Sequence, residues 1–187
     1  MPTILLDRSK VFTSGSLSGG NTDWTLPYSV ATDDSEGVVQ VVRNSDGVIL
    51  TTTRPSATTV RATGDYSAVS VTIGLRYEFR SQLSTIYFRS ADYTGIPRAD
   101  SRKRLQLQRV RFLHEDTYKY DVLVQGSERS EVSYSFSSSS PDSGDHKAPV
   151  LSNNELVTIT LQSLYPLPCW ITGMEWEGIF KARVGLR

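Results

Sequence analysis

The stretch RLQLQRVRFL (Arg104–Leu113), continued by HEDTYKYDVLVQG (114–126) and SERSEVSYSF (127–136), decides the fold class. Leu105 and Leu107, then Val110 and Phe112, recur every second residue, the period of a strand with one buried face. The parity moves from odd to even at Gln108-Arg109. A strand keeps one face only while parity holds, so a β-bulge is expected there. Tyr118, Tyr120, Val122 and Val124 alternate in the same way, as do Val132, Tyr134 and Phe136. Polar residues separate the three runs, at His114–Thr117 and at Gly126–Arg129, and read as turns. The segments together predict a β-meander.

Outward from this core the chain stays β-rich. Toward the N-terminus, Val38–Val42 and Val48–Leu50 flank Asn44-Ser45-Asp46-Gly47, a hairpin signal in which Gly accepts the positive φ of the turn. Thr58–Ala62 and Val69–Ile73 add strands around a turn at Gly64-Asp65. Val69, Val71 and Ile73 alternate with Ser70 and Thr72, so one face of that strand should be buried. Arg76–Arg89 alternates Tyr77 and Phe79, then Ile86 and Phe88 after a break at Ser81–Thr85. Ser90–Arg102, with Gly95 and Pro97, reads as a loop. Toward the C-terminus, Ser137–Lys147 (SSSSPDSGDHK) lacks apolar residues and reads as an exposed loop. Val157, Ile159 and Leu161 form an alternating strand, and a turn braced by Pro166 and Pro168 leads to Trp170, Glu175, Trp176 and Glu177. The expected fold is all-β: two small antiparallel β-sandwich or meander lobes, 1–74 and 75–187, with an exposed loop at 137–147. Trp170, Trp176, Tyr120 and Phe112 are the expected anchors of the second lobe.

The totals bound the function. A chain of 187 residues can bury roughly 70% of the surface its unfolded form exposes. Twenty Lys and Arg balance 20 Asp and Glu, which argues against a general nucleic-acid binder and gives a monomer little self-repulsion. A single cysteine, Cys169, excludes a disulfide framework and a cysteine-cluster zinc site, and reads as a small buried hydrophobe. No apolar run is long enough for a transmembrane helix, and the N-terminal run is too short for a signal peptide, so a soluble protein made inside the cell is expected.

No catalytic, cofactor or metal site emerges. His114 and His146 each sit among polar residues and read as solvated turn residues, without the helical spacing of a two-His metal site. Serines abound, but no G-x-S-x-G elbow selects a nucleophile. Asp33–Glu36 and Asp142–Asp145 lack the ligand spacing of a calcium loop and read as solvated turns. Glu175 and Glu177, two apart on one strand, share a face. They could serve glycoside chemistry, but Arg or Lys partners are the expected role. Arg98, Arg102, Lys103, Arg104, Arg109 and Arg111, with Tyr93 nearby, could grip phosphates and stack bases. In a neutral chain they read instead as an outer-face row that pairs with acidic neighbours or contacts another subunit.

Several segments resemble the tail nozzle family of short-tailed bacteriophages, also called tail tubular protein B. Leu5-Leu6-Asp7-Arg8-Ser9 is similar to that family's entry into a small inserted β domain. Leu26-Pro27-Tyr28 resembles a recurrent step within it, and Ile73-Gly74-Leu75-Arg76-Tyr77 its exit. Arg104–Val124 resembles the strand pair that follows. Pro149-Val150-Leu151-Ser152, Leu167-Pro168-Cys169 and Glu175-Trp176-Glu177-Gly178 resemble its C-terminal run. The resemblance implies a non-enzymatic virion component, made in the host cytoplasm, in a sixfold ring around the DNA ejection channel. It implies other copies, the nozzle body, tail adaptor and tail fibres as partners, no cofactor, and genomic DNA that passes without tight binding. Members are several times longer, with a propeller-like body ahead of this point, so a split product or a fragment is expected. Two other readings are carried forward: a carbohydrate- or receptor-binding module at the tail tip with Trp24, Tyr28 and Tyr93 as an exposed platform, and a depolymerase using Glu175 and Glu177.

Overall fold

The computed structural model describes residues 3–87, 89–91, 97–99 and 104–181. These form fifteen β-strands and no helix. The chain divides into two compact units, 1–78 with 164–168, and 79–163 with 169–187.

The first unit pairs two four-stranded sheets. One has the order β1 (Leu6–Phe12), β8 (Val71–Arg76), β4 (Val39–Arg43), β5 (Ile49–Leu50), and the other β2 (Ser16–Ser18), β3 (Asn21–Thr25), β7 (Thr59–Thr63), β6 (Thr52–Ser56). All pairings are antiparallel. The expected hairpin joins β4 to β5, with Gly47 at φ 74° and its N–H donating to the Arg43 carbonyl at 2.9 Å. Apolar faces of the two sheets meet in one core built on Trp24, Val41, Val60, Val71 and Ile73. Strands β7 and β8 belong to different sheets, so the turn expected at Gly64-Asp65, with Gly64 at φ 111°, carries the chain between layers. One expectation is corrected here. Strand β8 is buried on both faces rather than one, and Thr72 on the second face is satisfied there by donating its hydroxyl proton to Asn44 Oδ1 at 2.7 Å. The chain returns to this unit at Leu164–Pro168, where Leu5 N–H donates to the Pro166 carbonyl at 2.7 Å.

The second unit is organised by β12 (Arg104–Gly126, 23 residues) and β13 (Val132–Asn153, 22 residues). They pair from Gln106↔Asn153 to Val124↔Val132. On the other side of β12 lie β15 (Trp170–Lys181), along residues 104–115, and β14 (Val157–Ser163), along 121–126. Strand β9 (Phe79–Gln82) adds to β14, and β10 (Arg89–Ala91) with β11 (Pro97–Ala99) makes a separate ribbon.

A straight strand of this length would span about 75 Å. Here the short segment after β13 holds both ends of β12. Asn154 N–H donates to the Leu105 carbonyl at 3.0 Å, and Ser127 N–H to the Leu156 carbonyl at 2.8 Å. Leu105 and Gly126 therefore line the same cleft. Strand β12 is bent upon itself, and side chains from its two halves, Leu107 and Phe112 from one, Tyr120 and Val122 from the other, share one core. Strands that turn from one layer into the next through bulges are a known way to corner a sandwich.

The corner corrects the expected turn at His114–Thr117. The ladder runs on through it: His114 pairs Gly144 and Thr117 pairs Asp142, three residues of β12 against two of β13, with Asp116 at φ 46°. The parity shift expected at Gln108-Arg109 is present as a register shift toward both β13 and β15. Ser137–Lys147 is also corrected, since it lies within β13. Backbone pairing holds it without apolar side chains, and only Ser138–Pro141 bulges out, between Lys119↔Ser137 and Thr117↔Asp142. Part of the expected Ser90–Arg102 loop is the β10–β11 ribbon, while Phe88, Tyr93, Gly95, Arg102 and Lys103 lie outside the described residues. The expected break at Ser81–Thr85 begins two residues later, since Ser81 and Gln82 belong to β9.

Of the expected anchors, Tyr120 and Phe112 are buried, Trp176 is half-buried, and Trp170 is 63% exposed. Ile171 takes the inward position opposite His114, which turns Trp170 out. Trp24 instead is the large buried indole, at 2% exposure in the first unit. Trp24→Ala is expected to cost about 3–5 kcal/mol and Trp170→Ala less than about 0.5 kcal/mol. Urea unfolding of both variants measures this, and equal midpoints would refute the assignment.

The corner depends on Thr117, fully buried. Its hydroxyl donates to the Glu115 carbonyl at 2.9 Å and accepts from Trp170 N–H at 2.8 Å, fastening the start of β15 to the bend. Thr117→Val keeps the shape and removes both bonds, so a loss of about 1–3 kcal/mol is expected. The same unfolding curves check it.

Candidate functional site

Two side-chain groups of the second unit carry charge or titratable chemistry. The first lies on the outer face of β15, β12 and β13. The register sets Glu177 beside Arg109, and Glu175 beside Arg111, which in turn neighbours Lys147. Arg109 Nε donates to Glu177 Oε2 at 2.6 Å. Arg111 Nη1 donates to Glu175 Oε2 at 3.3 Å and its Nη2 to Asp145 Oδ1 at 3.0 Å. Lys147 Nζ lies 3.8 Å from Asp145 Oδ2. The Asp145 side chain holds the Arg111 guanidinium above its ordinary pKa, and Arg111 in turn holds Asp145 below the usual carboxylate range. Three cations thus face three carboxylates, and the patch has no net charge. The acidic pair meets arginines, as the sequence led us to expect. Arg104 opens β12 and Arg98 lies in β11.

The second group lies between the layers beside the corner. His114 is 3% exposed, and its Nδ1 is 3.1 Å from the Tyr120 hydroxyl. Phe136 lies 4.2 Å from the His114 ring and 5.3 Å from Tyr120, and His146 meets Tyr120 edge-on at 5.8 Å. The expectation of two solvated histidines is overturned. They sit on paired strands, His146 opposite Phe112, and the ladder brings both inward. Each has a buried Nε2 without a partner among the described residues. Two imidazoles are too few for a metal centre, and no group of three or more His, Cys, Asp or Glu among the described residues could hold one. Burial pushes the His114 pKa down, and it pushes the Tyr120 hydroxyl up.

The other candidates resolve simply. Asp33 Oδ1 accepts from the N–H and hydroxyl of Ser35, and Glu36 Oε2 accepts from Ala31 N–H at 3.2 Å, so this acidic cluster is a capped surface turn. Asp142–Asp145 is not a turn but part of β13. Cys169 is half-buried rather than enclosed, and burial pushes its thiol up to about 11, away from nucleophilic chemistry. Trp24 is buried and Tyr28 donates its hydroxyl proton to the Arg8 carbonyl at 2.6 Å, so the proposed sugar platform loses its indole, and Tyr93 lies outside the described residues. Sequence reasoning missed Thr117 and Arg54. The Arg54 guanidinium donates to the Val30, Ala31 and Ala57 carbonyls at 2.5, 2.6 and 3.3 Å. An arginine next to Pro55 in a polar strand gave no sign of that role.

Long paired strands, an ion-paired outer face and an aromatic core define an all-β protein. The chain belongs to the bacteriophage nozzle protein family, whose family model matches residues 3–185. No curated protein matches it.

The buried His114 links stability to pH. Unfolded, the imidazole titrates near its ordinary value of 6.5, whereas folded it binds its proton only at lower pH. The unfolded state therefore binds more protons as pH falls below about 6.5, and stability falls with it. Asp142 and Asp145 oppose this by favouring the imidazolium. The urea midpoint of the wild type is expected to fall between pH 7 and pH 5, and His114→Gln to fall less. Identical pH slopes would show that His114 does not titrate across this range.

Proposed function

We propose that this chain is a structural subunit of a phage tail nozzle, with copies arranged as a ring around the channel through which DNA leaves the particle. The family match along almost the whole chain carries this reading. The chain performs no reaction. Its copies contact one another, the rest of the nozzle body and neighbouring tail proteins such as the adaptor and fibres, and six is the copy number that the family resemblance implies.

The outer face fits a passage that DNA crosses without being held. Each phosphate contact made by a free Arg or Lys adds salt-sensitive affinity. Arg109 and Arg111 are engaged by Glu177, Glu175 and Asp145, which leaves little positive field to retain a duplex. The test has two readouts. Mass spectrometry of purified virions is expected to find this chain at a fixed ratio to other tail proteins. Anisotropy with duplex DNA at physiological salt is expected to show binding weaker than about 10⁻⁴ M. Absence from mature particles would overturn the reading, and tight binding would remove the channel-lining role.

A further inference from the structure

We propose that the open edge of β15 in one copy pairs, in parallel, with the open edge of β13 in a second copy. The proposal deepens the assembly reading above and rests on it. Its starting point is a contrast between the two units in how they treat strand edges.

An unpaired edge is a template for another chain, and proteins blunt such edges when none is wanted. The first unit does so throughout. Strands β5 and β2 are two and three residues long, β6 carries Pro55, and β1 is interrupted by a register shift between Asp7 and Lys10, with Arg8 at φ 47°. The second unit leaves longer runs open. Among the described residues the 12 of β15 pair only with β12, and so does β13, whose regular run between the Ser138–Pro141 bulge and the shift at Leu107 and Arg109 is Gly144–Pro149. The inner side of β15 is apolar and incompletely covered, with Ile171 and Trp176 half-buried and Met174 36% exposed.

Direction and charge choose the occupant. Strands β13 and β15 are both antiparallel to β12, so they run the same way. A head-to-tail step therefore brings β15 of one copy beside β13 of the next as a parallel pair, continuing the sheet with the same face outward. Such a heterologous contact uses both edges in every copy and can close into a ring. Glu175, Arg111 and Lys147 occupy one cross-strand row. Adding β15 next to β13 extends that row by a carboxylate beside Lys147, whose side chain is 54% exposed. The alternative two-fold contact, β15 against β15, would oppose Glu175 and Glu177 to themselves, which like charges disfavour. Pro149 has no N–H to give an added strand, so the paired run lies on its N-terminal side, at Lys147.

The test uses the chain with Cys169→Ser, carrying Glu175→Cys and Lys147→Cys together. Within one copy β12 separates the two positions by about two strand spacings, roughly 10 Å, beyond disulfide reach. Between neighbours in the proposed pair they are adjacent. Under mild oxidation with copper phenanthroline, a ladder of covalent oligomers is expected on non-reducing gels, and neither single Cys variant should give one. If light scattering shows oligomers but no ladder forms, the edge pairing is wrong while the assembly reading stands. Covalent dimers from Glu175→Cys alone would replace the proposal with the two-fold contact. A chain that stays monomeric at all concentrations overturns both. As a second measurement, Glu175→Arg with Glu177→Arg should raise the concentration needed for assembly by about tenfold, and mixing with a Lys147→Glu chain should recover part of that loss.

Discussion

The second unit depends on one continuous ladder, the antiparallel pairing of β12 with β13 from Gln106↔Asn153 to Val124↔Val132. Every other strand of its main sheet hangs on β12 directly or through β14. Because the ladder stays paired around the corner, the bend does not leave a row of backbone groups buried without partners, which would cost far more than the strain of a few irregular residues. The irregularities are placed accordingly. Asp116 takes a left-handed conformation where β12 has its extra residue, and Leu151 takes one near the shift at Leu107 and Arg109. Non-glycine residues are uncommon there. Close packing of the layers recovers the cost, with Val110, Phe112, Tyr120 and Val122 all at 1% exposure or less.

Bending a strand also brings polar residues inside. His114, Thr117 and Asp121 are buried near the corner. Thr117 is satisfied by the backbone of Glu115 and Trp170, and Asp121 accepts from the Ser135 hydroxyl at 2.5 Å. His114 is satisfied on one nitrogen only. Imidazole tolerates this because it can stay neutral, which a lysine or carboxylate in the same position could do only with a much larger shift.

How far the sequence could be read follows from what each signal measures. Alternation reports which face of a strand is buried, and it located β8, both halves of β12, the start of β13, and β14, while β4 and β7 were marked by β-branched residues beside turn signals. Parity even located the register shift at Gln108-Arg109. Alternation says nothing about strands held by backbone bonds alone, so Ser137–Lys147 looked like a loop. Nor does it distinguish a polar turn from a polar corner, and His114–Thr117 was misread for that reason. Aromatic size was a poor guide to burial: Trp170 and Trp24 look alike in sequence, and only their neighbours decide. Ile171 fills the inward position next to Trp170, while Trp24 sits on a central strand between β2 and β7. The opposed charges of the outer face were legible because Glu175 and Glu177 share the spacing of Arg109 and Arg111.

Those ion pairs have little to do with stability. The Arg109 and Glu177 side chains are 48% and 58% exposed, and pairs this open contribute about 0–1 kcal/mol. Their effect is on the field the surface presents. A face built from neutral polar residues would also lack net charge, but it would offer nothing to order a neighbouring strand. Alternating Glu, Arg and Lys across three strands keeps the long-range potential low while leaving strong short-range preferences at the edges. Such a surface favours a strand whose charges match it at contact and exerts little pull on a polyanion at a distance. Both properties are what the assembly proposed above would need, and a neutral chain with 20 cations and 20 anions can supply them where an uncharged one could not.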